Sequence, residues 1–119
     1  MNRINTAVGA ERCWVSVATI DQVSPGSFVG VQAGDLDLLL CNLDGTIHCT
    51  DNICTHAYAL LCDGWLEGME IECPLHGGRF DIVTGKALCA PVALDLIVYP
   101  TRTVDGRIEV SVPAALSEV

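Results

Sequence analysis

Two short segments of the chain each place a cysteine close to a histidine. The first pairs Cys54 with His56 as Cys-x-His, and the second, after sixteen intervening residues, pairs Cys73 with His76 as Cys-x-x-His. Two thiolates and two imidazoles suit a soft or borderline metal, so a zinc ion and an iron–sulfur cluster are the candidates. Structural zinc sites usually take two Cys from one short loop and two His from another. Because each segment here supplies one of each, the spacing favours a [2Fe–2S] cluster lying between two loops.

The residues around these segments are patterned for β-strands. Residues 107–112 alternate between apolar and polar types, which predicts a strand with one buried face. Residues 69–73 alternate as well, so Cys73 shares a face with Met69 and Ile71 if the strand reaches it. Further strands are predicted at 28–31, 36–41, 47–49, 79–82 and 94–99.

Turn signals separate these strand candidates, and helical periodicity is nearly absent. A short helical turn is predicted within residues 18–24, where Pro25 and Gly26 stop it. Four dipeptides tolerate the positive φ angles of tight turns, and they are Asp44-Gly45, Asp63-Gly64, Thr84-Gly85 and Asp105-Gly106. The sequence therefore predicts an all-β domain of sandwich or small-barrel type.

Length, composition and charge narrow the class of protein. A chain of 119 residues, 50% of them apolar, is long enough for one packed domain. Its formal net charge of −9 argues against binding to nucleic acid or to an anionic membrane surface, because both need lysine and arginine. No apolar run approaches the roughly 18 residues of a transmembrane helix, and the first residues lack a signal-peptide pattern. We therefore expect a soluble, cytoplasmic protein.

The number of cysteines and the expected cytoplasmic location indicate whether the seven cysteines form disulfides. An odd count in a reducing compartment does not suit a disulfide framework, so some of the thiols are expected to hold a metal. The five cysteines outside the two motifs are expected to be small buried apolar residues, and they are Cys13, Cys41, Cys49, Cys62 and Cys89.

Other residues near the motifs have ordinary structural interpretations. His48 is expected to be a half-buried strand residue, and Trp65 and Phe80 are expected to belong to the core. Tyr58 is either a partner contact or packed against the rest of the domain. The acidic residues that follow the first motif form a solvated face or one that steers docking onto a basic patch, and they are Asp63, Glu67, Glu70 and Glu72.

The segment 54–81 resembles the binding motif of Rieske-type ferredoxins, and the likeness continues through Thr84-Gly85-Lys86 and Cys89-Ala90-Pro91. More closely, the chain resembles the ferredoxin component of bacterial aromatic-ring dioxygenase systems of the naphthalene-dioxygenase type. The likeness covers about residues 14–112. It implies one [2Fe–2S] cluster, in which two cysteines bind one iron and two histidines the other. The ligands implied are Cys54, His56, Cys73 and His76.

The resemblance also implies a fold and a domain organisation. Residues 1–119 are expected to form a single Rieske domain, which is all-β. An antiparallel β-sandwich base of about residues 1–45 and 92–119 would carry a small inserted cluster-binding subdomain of about residues 46–91. Pro91 would lie in a third loop that covers the cluster.

The function that the resemblance implies is one-electron transport. Such a ferredoxin takes electrons from a flavin-containing, NAD(P)H-dependent ferredoxin reductase and passes them to a terminal Rieske oxygenase, which hydroxylates an aromatic ring. His56 and His76 would be the electron exit, with Pro74, Leu75 and Pro91 as a small apolar docking rim. A monomer fits a carrier that must leave after each electron.

The sequence predicts no catalytic residues. It contains no G-x-G-x-x-G dinucleotide fingerprint. A mononuclear iron oxygenase needs two His and one carboxylate, and only His48 remains outside the two motifs. The chain is therefore interpreted as an electron carrier that is not itself an enzyme.

Departures from high-potential Rieske proteins predict a low reduction potential. Those proteins carry an additional Cys in each loop, where this chain has Ala59 and Leu75, and Ser and Tyr hydroxyls where it has Gly78 and Phe80. Fewer hydrogen bonds to the sulfurs leave more electron density on the cluster. A potential of about −150 mV is expected, at the low end of the Rieske range.

Two alternatives stay open at this point. One is a structural or interaction module that binds zinc through the same four residues, which would be colourless and hold one zinc ion per chain. The other is a Rieske domain that belongs to a larger enzyme, such as a nitrite-reductase small subunit or an oxygenase fragment. The sequence does not specify the aromatic substrate, because specificity would reside in the oxygenase.

Overall fold

The computed structural model describes residues 11–56, 58–75, 77–92 and 94–114. Within these ranges the chain forms ten β-strands and two single-turn 3-10 helices, at Ile20–Gln22 and Leu61–Asp63. The all-β prediction is confirmed, and the first 3-10 helix lies where a helical turn was expected. The strands are β1 (Arg12–Thr19), β2 (Phe28–Ala33), β3 (Leu36–Leu43), β4 (Thr46–Asp51), β5 (Trp65–Glu67), β6 (Glu70–Glu72), β7 (Arg79–Asp81), β8 (Val98–Tyr99), β9 (Thr101–Val104) and β10 (Arg107–Pro113).

The strands form three antiparallel sheets with the orders β1-β10-β9, β2-β3-β4-β8 and β5-β6-β7. The second sheet has a hydrophobic core on each of its faces. Leu38 and Leu40 of β3 pack in one core with the buried side chains of β10. Leu39 and Cys41, which point the opposite way along the same strand, pack in the other core with those of β6 and β7. A strand that is buried on both faces has a continuous apolar run, and β3 has one over residues 38–41.

Two of the predicted turn dipeptides join neighbouring strands as two-residue hairpins. Asp44 and Gly45 connect β3 to β4 with φ angles of 57° and 97°, and Asp105 and Gly106 connect β9 to β10 with 51° and 79°. Two consecutive positive φ angles match the right-handed twist of the strands that such hairpins join. These turns fix the registers in which Leu43 pairs with Thr46 and Val104 pairs with Arg107.

The strand expected at residues 94–99 is wrong over most of its length, since only Val98 and Tyr99 form a strand. The backbone groups that precede them are hydrogen-bonded outside any ladder. The Leu94 carbonyl accepts from Thr55, the Leu96 amide donates to the Gly85 carbonyl, and the Ile97 amide donates to Asp51. The groups of Leu94 and Leu96 are occupied by loop residues and cannot pair with a neighbouring strand, whereas Ile97 bonds Asp51, the last residue of β4.

Two side-chain placements also differ from the expectation. Trp65 is 58% exposed, because Leu66 is the residue of β5 that faces the core and side chains alternate along a strand. Met69 lies in the turn between β5 and β6 and is exposed, whereas Ile71 and Cys73 are buried. Phe80 belongs to the core as expected.

The division into a base and an inserted subdomain stays a prediction. The sheet β5-β6-β7 lies inside the range predicted for the insertion. Strand β4, which opens that range, pairs with β3 and β8 in the four-stranded sheet. Among the described residues, neither helix has the length or hydrophobicity needed to cross a membrane.

Candidate metal centre

The first Cys–His segment follows β4, and backbone hydrogen bonds join its two ends. We call the place where the two ends of such a loop are bonded its neck. The amide of Cys54 donates to the carbonyl oxygen of Ala59 at 2.9 Å, and the amide of Leu61 donates to the carbonyl oxygen of Asn52 at 2.7 Å. The buried Asn52 side chain closes the neck, since its Oδ1 accepts from the Cys62 amide at 2.9 Å. Both ends of the segment are thereby fixed to the four-stranded sheet.

The second Cys–His segment begins in the same way. It connects β6 to β7, and the amide of Cys73 donates to the carbonyl oxygen of Gly78 at 2.7 Å. In both segments, therefore, the cysteine amide donates to the carbonyl oxygen of the residue five positions later in the chain. The Gly77 amide adds a bond of 3.2 Å to the Cys73 carbonyl. The two cysteines thus occupy equivalent positions at the start of two similarly closed loops.

Burial separates the thiols from the imidazole of the first segment. Cys54 and Cys73 are 4% and 1% exposed and belong to the same hydrophobic core. His56 lies at the surface. His76 lies outside the described residues. Among those that are described, no group of three or more His, Cys, Asp or Glu side chains could hold a single metal ion.

A third segment, residues 87–96, is fastened to both loops. The hydroxyl of Thr55 donates to the Leu94 carbonyl oxygen at 2.7 Å, which joins this segment to the first loop. On the second loop, a Cβ at Gly78 would lie only 2.5 Å from Val92 Cγ1, so the glycine leaves room for the valine. Pro91, expected in this third loop, follows a cis peptide bond and is exposed.

The remaining cysteines match the expectation only in part. Cys41 and Cys49 are fully buried, and burial raises the pKa of the Cys41 thiol from 9.0 to about 12 and that of Cys49 further. Cys13 and Cys62 are partly buried. Cys89 is exposed, so the expectation of burial is wrong for this residue. None of the seven cysteines, all of which are described, forms a disulfide.

Three of the four acidic side chains expected on one face lie around a single arginine, and Asp63 is not among them. Arg79 on β7 approaches Glu67, Glu70 and Glu72 at 3.8, 3.4 and 3.5 Å. Arg79 and the three glutamates lie on the outer face of the sheet β5-β6-β7, where the side chains of paired strands are adjacent. His48 is a partly buried residue of β4, as expected.

Asn52 and Thr55 are structurally important residues that the motif analysis did not identify. Asn52 could have been identified from its position between the end of a strand and a cysteine. Asn side chains often form hydrogen bonds to the backbone at such positions. Thr55 carries no signal for its long-range bond, because Leu94 is 39 residues away.

Comparison with known proteins identifies the family. A family described as the Rieske [2Fe-2S] domain matches residues 13–100. The chain belongs to this Rieske family. Among its relatives, the ferredoxin component of the naphthalene 1,2-dioxygenase/salicylate 5-hydroxylase systems of Ralstonia sp. is 46% identical over 95 residues, which are 80% of this chain and 91% of the relative.

Two solved structures resemble this Rieske domain closely. The ferredoxin of Sphingomonas yanoikuyae B1 superposes with a TM-score of 0.80 at 38% identity, over 85% of this chain and all of the ferredoxin. A chain in the complex of reduced oxygenase and oxidized ferredoxin of carbazole 1,9a-dioxygenase gives 0.77 at 31% identity, over 82% and 92% of the two chains. The Rieske fold expected from the sequence is thereby confirmed.

The described residues fit the cofactor of this family. A Rieske cluster needs two thiolates on one iron and two imidazoles on the other. Here two thiols are buried at the necks of two equivalent loops, and His56 is at the surface. Two buried thiols and an exposed imidazole are compatible with the unequal ligation of the two irons.

Proposed function

We propose that this protein is the ferredoxin component of an aromatic-ring dioxygenase system. The observation that carries the proposal is the likeness to a ferredoxin component over 91% of that relative's length, at 46% identity. The likeness also covers the whole of a solved ferredoxin. A relationship over the full length of a carrier protein supports a carrier function, because the enzymes of these systems need further chain for their active sites.

The ligands that we propose for the cluster are Cys54, His56, Cys73 and His76. The two buried cysteines and the exposed His56 support this set. When bound, the [2Fe–2S] cluster accepts and releases one electron at a time. The role of Cys54 and Cys73 is to hold it within the core, and the role of His56 and His76 is to bring its outer edge to the surface.

The partners that we propose are two proteins that meet this edge in turn. A flavin-containing, NAD(P)H-dependent reductase supplies the electrons, since the chain itself has no dinucleotide fingerprint. A terminal Rieske oxygenase receives them, and a solved complex of an oxygenase with a related ferredoxin supports this pairing. We propose that the carrier is a monomer in the cytoplasm and binds neither nucleic acid nor membrane.

The experiment that tests this function begins with the absorption and EPR spectra of the anaerobically purified protein. A red-brown protein that gives a rhombic EPR signal after dithionite reduction is the expected result. A colourless, EPR-silent protein with one zinc ion per chain would overturn the proposal in favour of the structural module. Electron delivery is tested next, by reducing the oxygenase of the Ralstonia system with NADH, a flavin reductase and this protein.

A further inference from the structure

Three stretches of the chain that meet at the candidate metal centre contain no Asp, Glu, Lys or Arg. They are residues 52–62, 73–78 and 87–94. Charged residues make up 18% of the chain, so charge-free stretches in all three places are unlike the rest of the protein. Of the six charged residues that border them, four are acidic, and these are Asp51, Asp63, Glu72 and Asp95.

Contacts join the three stretches to one another. The Thr55 hydroxyl bonds the Leu94 carbonyl, and the Cys89 sulfur lies 3.8 Å from the Gly77 carbonyl oxygen. The most exposed large apolar side chains of the three stretches are Tyr58, Leu75 and Leu94, one from each stretch. We call these three residues the apolar tip.

Tyr58 is the most exposed member of the apolar tip. Its exposed fraction is 87%, against 69% for Leu94 and 51% for Leu75. This exposure answers the question that the sequence left open, because the ring does not pack against the rest of the domain. Tyrosine combines a large apolar ring with a polar hydroxyl and is enriched among the residues that dominate protein–protein binding. Tyr58 also lies two residues from His56, the proposed electron exit.

The border of the apolar tip is acidic. Glu72 Oε2 lies 3.5 Å from the position that a Cβ on Gly77 would occupy, so this carboxylate lies beside the second loop. The nearby Arg79 is shared among three glutamates and cannot neutralise them all. An apolar centre with a charged border is the usual anatomy of a protein interface. The complementary surface is an apolar hollow bordered by lysine and arginine side chains.

We propose that Tyr58 is the anchor by which this ferredoxin docks on its terminal oxygenase. The phenol ring enters an apolar hollow of the oxygenase, and the acidic border meets basic side chains around it. Docking in this way brings His56 to the oxygenase surface. The proposal rests on the function proposed above, because it requires a loaded cluster and an oxygenase partner.

The test compares Tyr58→Ala with the unchanged protein as electron donor to the terminal oxygenase of the Ralstonia naphthalene system. The ferredoxin concentration that gives half-maximal oxygenase reduction is expected to rise roughly 30-fold, the loss typical of an interface anchor. The absorption spectrum, EPR signal and reduction potential of the variant should equal those of the unchanged protein. Tyr58→Phe keeps the ring and should change the concentration less than threefold, which is an order-of-magnitude bound for one exposed hydroxyl.

Trp14→Ala is the matched control, since Trp14 is an exposed aromatic residue on β1, in a sheet that none of the three stretches joins. This variant should behave as the unchanged protein. If Tyr58→Ala keeps its spectra and delivers electrons as well as the unchanged protein, the anchor is overturned and the carrier function stands. If the unchanged protein shows Rieske spectra but reduces no oxygenase of this type, the carrier function fails and the anchor with it. Self-association that Tyr58→Ala abolishes would assign the tip to a second copy and overturn the oxygenase as its partner.

Discussion

The hydroxyl of Thr55 donates a 2.7 Å hydrogen bond to the backbone carbonyl oxygen of Leu94. Thr55 lies between the proposed ligands Cys54 and His56, and Leu94 belongs to the third segment. The bond therefore couples the position of a ligand loop to a segment 39 residues away. Because the bond is near the surface, its net contribution to stability is modest, but it joins the third segment to the first loop.

We expect Thr55→Val to loosen the third segment while keeping nearly the same side-chain volume. The lost hydrogen bond should lower the free energy of unfolding by about 1 kcal/mol, and the melting temperature by roughly 4 °C. The cluster should still load, with a broader EPR signal because the loop samples more conformations. Thermal melting and EPR of the loaded protein measure both effects. Thr55→Ser, which keeps the hydroxyl, should restore the narrow signal, and equal signals in the two variants would contradict a role for the bond.

Gly78 and Val92 form the corresponding contact on the second loop. In Gly78→Ala the new Cβ would be 2.5 Å from Val92 Cγ1, closer than real carbon contacts allow. The third segment must then shift, and we expect a loss of about 1–3 kcal/mol of folding free energy, as for other overpacked sites. Denaturation curves of the loaded protein measure the loss.

A double variant separates steric overlap from other effects at this site. Val92→Ala removes the two methyl groups that would collide, so Gly78→Ala combined with Val92→Ala should cost less than the sum of the single changes. Additive costs would show that the close approach of Gly78 to Val92 is not the reason for glycine at this position.

The sequence was sufficient to predict the fold class, and to propose a donor set, because both depend on local pattern. Cys54 and Cys73 could be paired with histidines by spacing alone, and the alternation of residues 107–112 matches β10. β1 also had a visible signal, since Cys13, Val15 and Val17 alternate with more exposed residues, yet it was not predicted.

The remaining features could not be predicted because they depend on distant residues. Residues 94–97 have strand-like composition, but the carbonyl of Leu94 and the amide of Leu96 bond Thr55 and Gly85 in loops instead of a neighbouring strand. Trp65 is large and apolar, which suggests burial, but the inward direction on β5 is taken by Leu66. Such outcomes follow from register and long-range contact, which no short window of sequence contains.

Cys73→Ser should abolish cluster binding, because an alcohol is a poor substitute for a thiolate ligand of iron. Iron content, absorption and EPR of the purified variant measure the loss. Cys89→Ser is the matched control: Cys89 is exposed and approaches the second loop through the Gly77 carbonyl, but it is not a proposed ligand. This control should keep a full cluster. An iron-loaded Cys73→Ser variant with an unchanged spectrum would remove Cys73 from the ligand set.

Stability should fall as the pH rises above about 9. Burial raises the pKa of Cys41 from 9.0 to about 12 and that of Cys49 further, and burial with a hydrogen bond to Asp51 raises the pKa of Tyr99. The unfolded chain releases the two thiol protons above pH 9 and the Tyr99 proton above pH 10, whereas the folded chain retains them, so the unfolded state gains up to about 1.4 kcal/mol per group for each pH unit. Melting temperatures between pH 8 and 10.5 measure the decline. Cys49→Ala should flatten it, and a melting temperature constant over this range would contradict the prediction.

The reduction potential should lie at the low end of the Rieske range, about −150 mV. Hydroxyl groups near the cluster sulfurs raise the potential, because hydrogen bonds to sulfur draw electron density from the cluster. High-potential Rieske proteins carry Ser and Tyr at two positions where this chain has Gly78 and Phe80. Neither Gly78 nor Phe80 has a side-chain hydrogen-bond donor. Phe80 is fully buried in the same core as Cys54 and Cys73, so an apolar ring stands where a hydroxyl would be the donor. A redox titration of the loaded protein, followed by EPR, measures the potential. A clearly positive value would show that other donors reach the sulfurs and would contradict this account.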